Sequence, residues 1–327
     1  MLGILGAGCC HPSNVISNRF LEDLEIGSVG QWIVDKIGIH ERRSVLPLDY
    51  IRETKNQDPL QALSLMEMSP AQLGANAARA AVARAGIKLE DIGLILCNCC
   101  TPVSLSPTTS ELIAQELGIQ VPTWELFSAC PAFALHLHYT KSLKDDALPK
   151  YVLCVSTATL TTRVNYNDRS DSAIWGDGAA AWVVSPSEIG KLTVRHTTFQ
   201  ADPSRSNAVV VDSLGHFHQD GRAVRDFSVR QTVRMIKALE RDYNIDWTKD
   251  IFIGHQANGT MLEQIRNNRK IPNENHWHNV SFIGNQAGAG APAVLAQNWD
   301  RLESGQNIIV AVVGAGLSWG SAIMHVN

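Results

Sequence analysis

Ser69-Pro70-Ala71-Gln72, an alanine-rich run to Ala85-Gly86, and then Asp91-Ile92-Gly93-Leu94-Ile95-Leu96-Cys97 spell a helix followed by a buried strand. Ser at the cap, Pro in the first turn and Gln at the third position satisfy the free amides of a helix start. The run after Asp91 is apolar on both faces, as a strand covered by helices on both sides must be. The pattern then recurs. Asp226–Tyr243 places Val229, Val233, Ile236 and Leu239 at helical spacing and leads through Asp250 into the strand Ile251-Phe252-Ile253-Gly254. Further pairs keep nearly the same offset: Tyr151-Val152-Leu153-Cys154-Val155 with the run from Asn307, Cys130 with Asn285, and Trp175-Gly176-Asp177 with Trp319-Gly320-Ser321. Four matches in one order, each near half the chain length apart, predict two related α/β halves, 1–186 and 187–327, meeting near Pro186.

Composition narrows the class. The 327 residues are 45% hydrophobic and 18% charged, enough to bury one or two cores. Lys plus Arg number 28 against 32 Asp plus Glu, a balance without the basic excess of a nucleic-acid protein, though it permits local basic patches for CoA phosphates or an acidic carrier protein. No apolar run reaches 18 residues and the start lacks a signal-peptide pattern, so a soluble cytoplasmic protein away from membranes is expected. Seven cysteines without regular spacing do not suggest a disulfide framework. Cys97-x-x-Cys100 has no second pair or nearby histidines to make a zinc site, and reads as small thiols on a core strand.

Three short signatures stand apart: Ser128-Ala129-Cys130-Pro131, Gly254-His255-Gln256-Ala257-Asn258 and Gly284-Asn285. A thiol holds an acyl group as a thioester, and imidazole and amide N–H groups stabilise an oxyanion or enolate beside it. Pro131 suits the first position of a helix and puts Cys130 at the N-cap, where free amides and the helix dipole lower a thiol's pKa. His255 ends a short apolar strand, the place where α/β proteins put chemistry. Asn285 lies in a small-residue turn, followed by a helix with Pro292 near its start. Taken singly, each reads equally as a buried thiol or a satisfied polar loop residue.

In this order and spacing the signatures resemble the condensing enzymes of the thiolase superfamily, most closely the ketoacyl-ACP synthase III branch. Gln31-Trp32-Ile33-Val34, Gly38-Ile39-His40-Glu41-Arg42-Arg43 and Trp175-Gly176-Asp177-Gly178-Ala179 extend the likeness over essentially the whole chain. The resemblance implies a five-layered thiolase-like α/β fold and a homodimer with the Cys97–Leu105 segment at its interface. It implies acyl-CoA and malonyl thioester substrates, with an acyl carrier protein or CoA carrying the acceptor, and no cofactor or metal. It assigns Cys130, His255 and Asn285 to catalysis, and the backbone N–H groups of Cys130 and Gly316 to an oxyanion hole. Trp32, Lys36 and Arg169 fall to CoA binding, Asn258 to the substrate thioester and Ser106 to the acyl pocket.

The chain also departs from the family pattern. Lys36 replaces an arginine, Gly259-Thr260 stand where a basic carrier-docking residue is typical, Gln286 follows Gly284-Asn285 in place of threonine, and Ser106 replaces a bulky aromatic stop. A specialised primer is therefore expected, larger than acetyl. The activity implied is acyl transfer to Cys130 followed by decarboxylative Claisen condensation. Two rivals remain open from the residues: acyl transfer to a hydroxyl or amine without decarboxylation, and a non-catalytic partner subunit.

Overall fold

A computed structural model describes residues 1–27, 29–212 and 215–327. Nine strands form the main sheet: β1 (Gly3–Cys10), β2 (Leu94–Cys99), β3 (Thr123–Glu125), β4 (Val152–Thr159), β5 (Asp177–Ser185), β6 (Leu192–Ala201), β7 (Ile251–Gly254), β8 (Asn307–Gly314) and β9 (Ser318–Val326). Their spatial order is β7-β8-β9-β6-β1-β5-β4-β2-β3. The duplication is visible in the pairing. In the first half β2 runs parallel to β4, and β4, β5 and β1 are successively antiparallel. In the second half β7 runs parallel to β8, and β8, β9 and β6 are successively antiparallel. The halves touch through the β1–β6 seam, where only Gly3 with Thr193 and Ile4 with Leu192 pair.

Seven helices matter to the site: α1 (Gly30–Ile37), α2 (Pro70–Ala85), α3 (Thr109–Leu117), α4 (Ala132–Ser142), α5 (Gly221–Asp242), α6 (Gly259–Arg269) and α7 (Gly290–Gln297). α2 covers β1 and β5 on the outside and packs on α3; α5 covers β8 and packs on α6. Between the two sets of strands lie α4, against β6 and β9, and α7, against β1 and β5. Helices thus alternate with sheets in five layers. α7 is buried at every position from Gly290 to Ala296, which is what a central layer requires of its side chains. The central core joins both halves, with Phe133 of α4 set edge-on to the fully buried Trp182 of β5 at 4.8 Å.

The expected capping box is present: Ser69 accepts from the Gln72 amide, and the Gln72 side chain returns to the Ser69 N–H. Two boundaries differ. α5 begins at Gly221 rather than Asp226, because Asp220 accepts from the Ala223 amide and starts the helix before its apolar stripe begins. The Cys97–Leu105 segment, expected at a subunit interface, divides in two. Cys97 and Cys99 lie in β2, hydrogen-bonded on both sides by β3 and β4 and buried within the chain, whereas Val103 and Leu105 are exposed.

Candidate active site

Each of the three signature residues is carried by the end of an element. Cys130 precedes α4, His255 follows the last residue of β7, and Asn285 bridges back to Trp175 before α7. All three line one cavity of about 120 Å³, together with Trp175, Asn258, Arg225, Gly314 and Ala315. Residues far apart in sequence therefore meet where the central layer opens between the halves.

Hydrogen bonding sets what each group offers. Asn285 Oδ1 accepts from the Ala287 N–H at 2.9 Å, its own N–H donates to the Ile174 carbonyl, and its carbonyl accepts from Gly176. With its oxygen committed, the carboxamide has its NH2 left for the cavity, as stabilising an enolate oxygen requires. Burial pushes the His255 imidazole down to about 4, so it is neutral at pH 7 and presents one N–H donor and one acceptor. Asn258 caps α6, accepting from the Met261 N–H at 3.0 Å and from the Thr260 hydroxyl at 2.7 Å. Its role as a cap is structural, and it also stands in the cavity wall.

Cys130 corrects the N-cap expectation. The cap of α4 is Pro131, so Cys130 lies one residue outside the helix, after Ala129 with φ of 44° in the left-handed region. Burial pushes its thiol up to about 11, against the backbone N–H groups of Ala315 and Cys130 itself, which act the other way. Desolvation outweighs these two amides. Beside the expected Gly316, which does not line this cavity, the backbone N–H of Ala315 acts on the thiol and Ala315 stands in the cavity wall. Gly314 lets this turn come close, since a Cβ there would sit 2.6 Å from Cys130 Cβ.

The expected CoA residues gather at one edge. The Arg169 guanidinium lies 5.3 Å from the centre of the Trp32 ring and donates to the Gly27 carbonyl at 3.3 Å. A base slid between them needs roughly 7 Å, two contact distances of about 3.5 Å, so the pair must part to admit one. Lys36, exposed at the end of α1, accepts from the Thr260 hydroxyl through its carbonyl at 2.9 Å. Gly259 packs on Gly38, the left-handed cap of α1, and a Cβ at Gly259 would meet the Gly38 carbonyl oxygen at 2.6 Å.

Ser106 was expected in the acyl pocket. It is exposed and outside the Cys130 cavity, while its neighbours Ser104 and Leu105 line a second cavity of about 590 Å³. Sequence reasoning missed Ala315 and the first turns of α5, where Val224, Arg225 and Ser228 wall the Cys130 cavity. The signal for α5 was the Asp220-Gly221 pair, which reads as a cap once the helix is extended backwards.

A duplicated five-layer α/β fold, with a thiol from one half meeting an imidazole and a carboxamide from the other, defines the thiolase-like class. Residues 125–203 match the family model described as 3-oxoacyl-[acyl-carrier-protein (ACP)] synthase III, and residues 246–326 match that of its C-terminal part. A beta-ketoacyl-[acyl-carrier-protein] synthase III from a Sulfurovum species is 28% identical over 97% of this chain and 93% of its own. The solved 3-oxoacyl-[acyl-carrier-protein] synthase III of Aquifex aeolicus superposes with a TM-score of 0.87, at 26% identity over 99% of this chain and 100% of that one. A priming ketosynthase of a polyketide pathway shares the fold at a TM-score of 0.80 and 24% identity, over 100% of this chain and 96% of its own. Together these matches support a ketoacyl-ACP synthase III-like condensing enzyme. Among the described residues no helix is long and apolar enough to cross a membrane.

Proposed function

We infer that the chain forms a carbon–carbon bond by decarboxylative Claisen condensation through an acyl thioester on Cys130. The observation carrying this reading is the convergence of Cys130, His255 and Asn285 on one cavity, with Asn285 Oδ1 already bound. An acyl-CoA enters past Trp32, Lys36 and Arg169. The Cys130 sulfur attacks the thioester carbonyl, whose developing oxyanion takes the N–H groups of Cys130 and Ala315. The C–S bond to CoA breaks, and the thiol proton leaves with the CoA sulfur. A malonyl thioester then follows, on a carrier protein or on CoA, with Asn258 beside it. Its carboxylate departs as carbon dioxide, and the electron pair becomes an enolate held by the His255 and Asn285 N–H groups. The enolate carbon attacks the Cys130 thioester, sulfur leaves, and a β-ketoacyl thioester is released. A neutral imidazole suits this role, because it donates a hydrogen bond without surrendering a proton to the enolate. The scheme needs neither metal nor redox cofactor.

The seven cysteines are unpaired thiols, which fits a reducing cytoplasm. A homodimer is the proposed assembly, formed through the face that carries Leu105, Trp124 and Phe127. Two substitutions test the division of labour. His255→Ala and Asn285→Ala should each slow malonyl decarboxylation roughly 10²–10³-fold, by analogy with lost oxyanion-hole donors, and slow acyl loading far less. Normal decarboxylation in both variants would favour acyl transfer without condensation.

A further inference from the structure

The second cavity contains a charge the proposed mechanism does not use. Arg163, at the end of a short 3-10 turn, is only 2% exposed, and its Nη1 has no hydrogen-bond partner among the described residues. It lines the cavity of about 590 Å³ with Leu63, Cys100, Val103, Leu105 and Phe127; the last three lie on the face proposed for the dimer, so a second copy would close this cavity from outside. A buried guanidinium N–H without an acceptor is costly, and a site built this way calls for an oxygen from elsewhere.

This cavity and the Cys130 cavity share a strand and an apolar cluster. Cys100 lines it, packs on the same apolar cluster as Cys130, and lies near enough for a Cys130 thiolate to raise its pKa. The strand Val209–Val211 serves both sides, with Val209 in the wall of the Cys130 cavity and Val211 in the wall of the larger one. An acyl chain leaving Cys130 past Cys100 would run along apolar walls toward Arg163.

The charge balance selects the end of that chain. Asp212 acts on Arg163 electrostatically, and Glu125 stands in the same cavity wall. A carboxylate terminus would add a negative charge beside a guanidinium that Asp212 already balances, whereas a neutral oxygen accepts the N–H without that repulsion. We propose that the larger cavity takes the acyl primer, and that Arg163 selects primers whose far end carries a neutral hydrogen-bond acceptor such as a ketone, hydroxyl or amide oxygen. The proposal rests on Cys130 as acyl carrier and adds the substrate class.

Three CoA esters of matched length test it: hexanoyl-CoA, 5-oxohexanoyl-CoA and adipoyl-CoA, with loading onto the full-length protein followed by intact mass. The oxo ester should load roughly 10-fold more efficiently than hexanoyl, as one hydrogen bond to a charged donor allows, and adipoyl should load no better than hexanoyl. In Arg163→Met the ratio of oxo to hexanoyl loading should fall to about one. Equal or better loading of hexanoyl by the natural protein overturns the assignment whether or not the variant folds, and so does an adipoyl preference. Failure of all three to load would contradict acyl transfer itself. Calorimetric binding of the same esters to Cys130→Ser then decides the cavity, with tighter oxo binding supporting the assignment and equal affinities overturning it.

Discussion

Cys130 is held as a neutral thiol beside a neutral imidazole, because burial raises one pKa and lowers the other. Sequence identified the residue through its two flanking signatures but gave the wrong sign for its acidity. A helix start was legible, whereas the depth of the surrounding core was not. The sign has a consequence in the ligand-free enzyme. With a thiol pKa near 11, the thiolate fraction, and with it iodoacetamide alkylation at Cys130, should rise about tenfold per pH unit from pH 7 to 10. Peptide mass spectrometry locates the adduct. A plateau reached by pH 8 would mean that the helix terminus and Ala315 dominate after all. Ala315 itself was hidden for a simple reason: in a run of small residues between Gly314 and Gly316, spacing cannot say which amide turns toward the sulfur.

At the scale of elements, the strands and the long helices were legible because their sequences carry complete local signals. α2 has its capping box and alanine face, and β7 begins and ends where its apolar run does. What escaped were contacts between elements. The Gly259-Thr260 departure read as a lost docking residue, yet the structure gives the glycine a packing role against the α1 cap. Gly259→Ala must displace the Gly38 carbonyl or bend α6, and should cost roughly 1–3 kcal/mol, as overpacking of a tight contact does. Chemical denaturation measures this, with wild-type stability in Gly259→Ala refuting the close approach. Ser106 was placed by counting along a loop, and in the structure Leu105 rather than Ser106 stands in a cavity wall.

The whole molecule is a duplicated unit, and the repeat was the most legible property of the sequence because it survives as matched order rather than matched identity. Pro186 falls between β5 and β6, and we take 1–186 and 187–327 as the two units. The joint between them was not legible, since two residue pairs at the β1–β6 seam leave no pattern in either strand. The opposite edge of the sheet bears on assembly. β3 is short and terminal in the sheet, and Trp124, Phe127, Leu105 and Val103 are exposed there at 45%, 59%, 89% and 40%. An apolar face beside an open strand edge calls for a cover, and a second copy would extend the sheet through β3. Light scattering at micromolar protein should return the dimer mass, and a stable monomer would refute the expectation. In the proposed reaction one thiol carries the acyl group into a condensation. Intact-protein mass spectrometry tests this after mixing with an acyl-CoA, followed by a malonyl thioester with carbon dioxide collected. A single acyl adduct on Cys130 should form and discharge with one carbon dioxide released per product; an adduct on Cys99 or Cys154, or discharge without carbon dioxide, would refute the condensation.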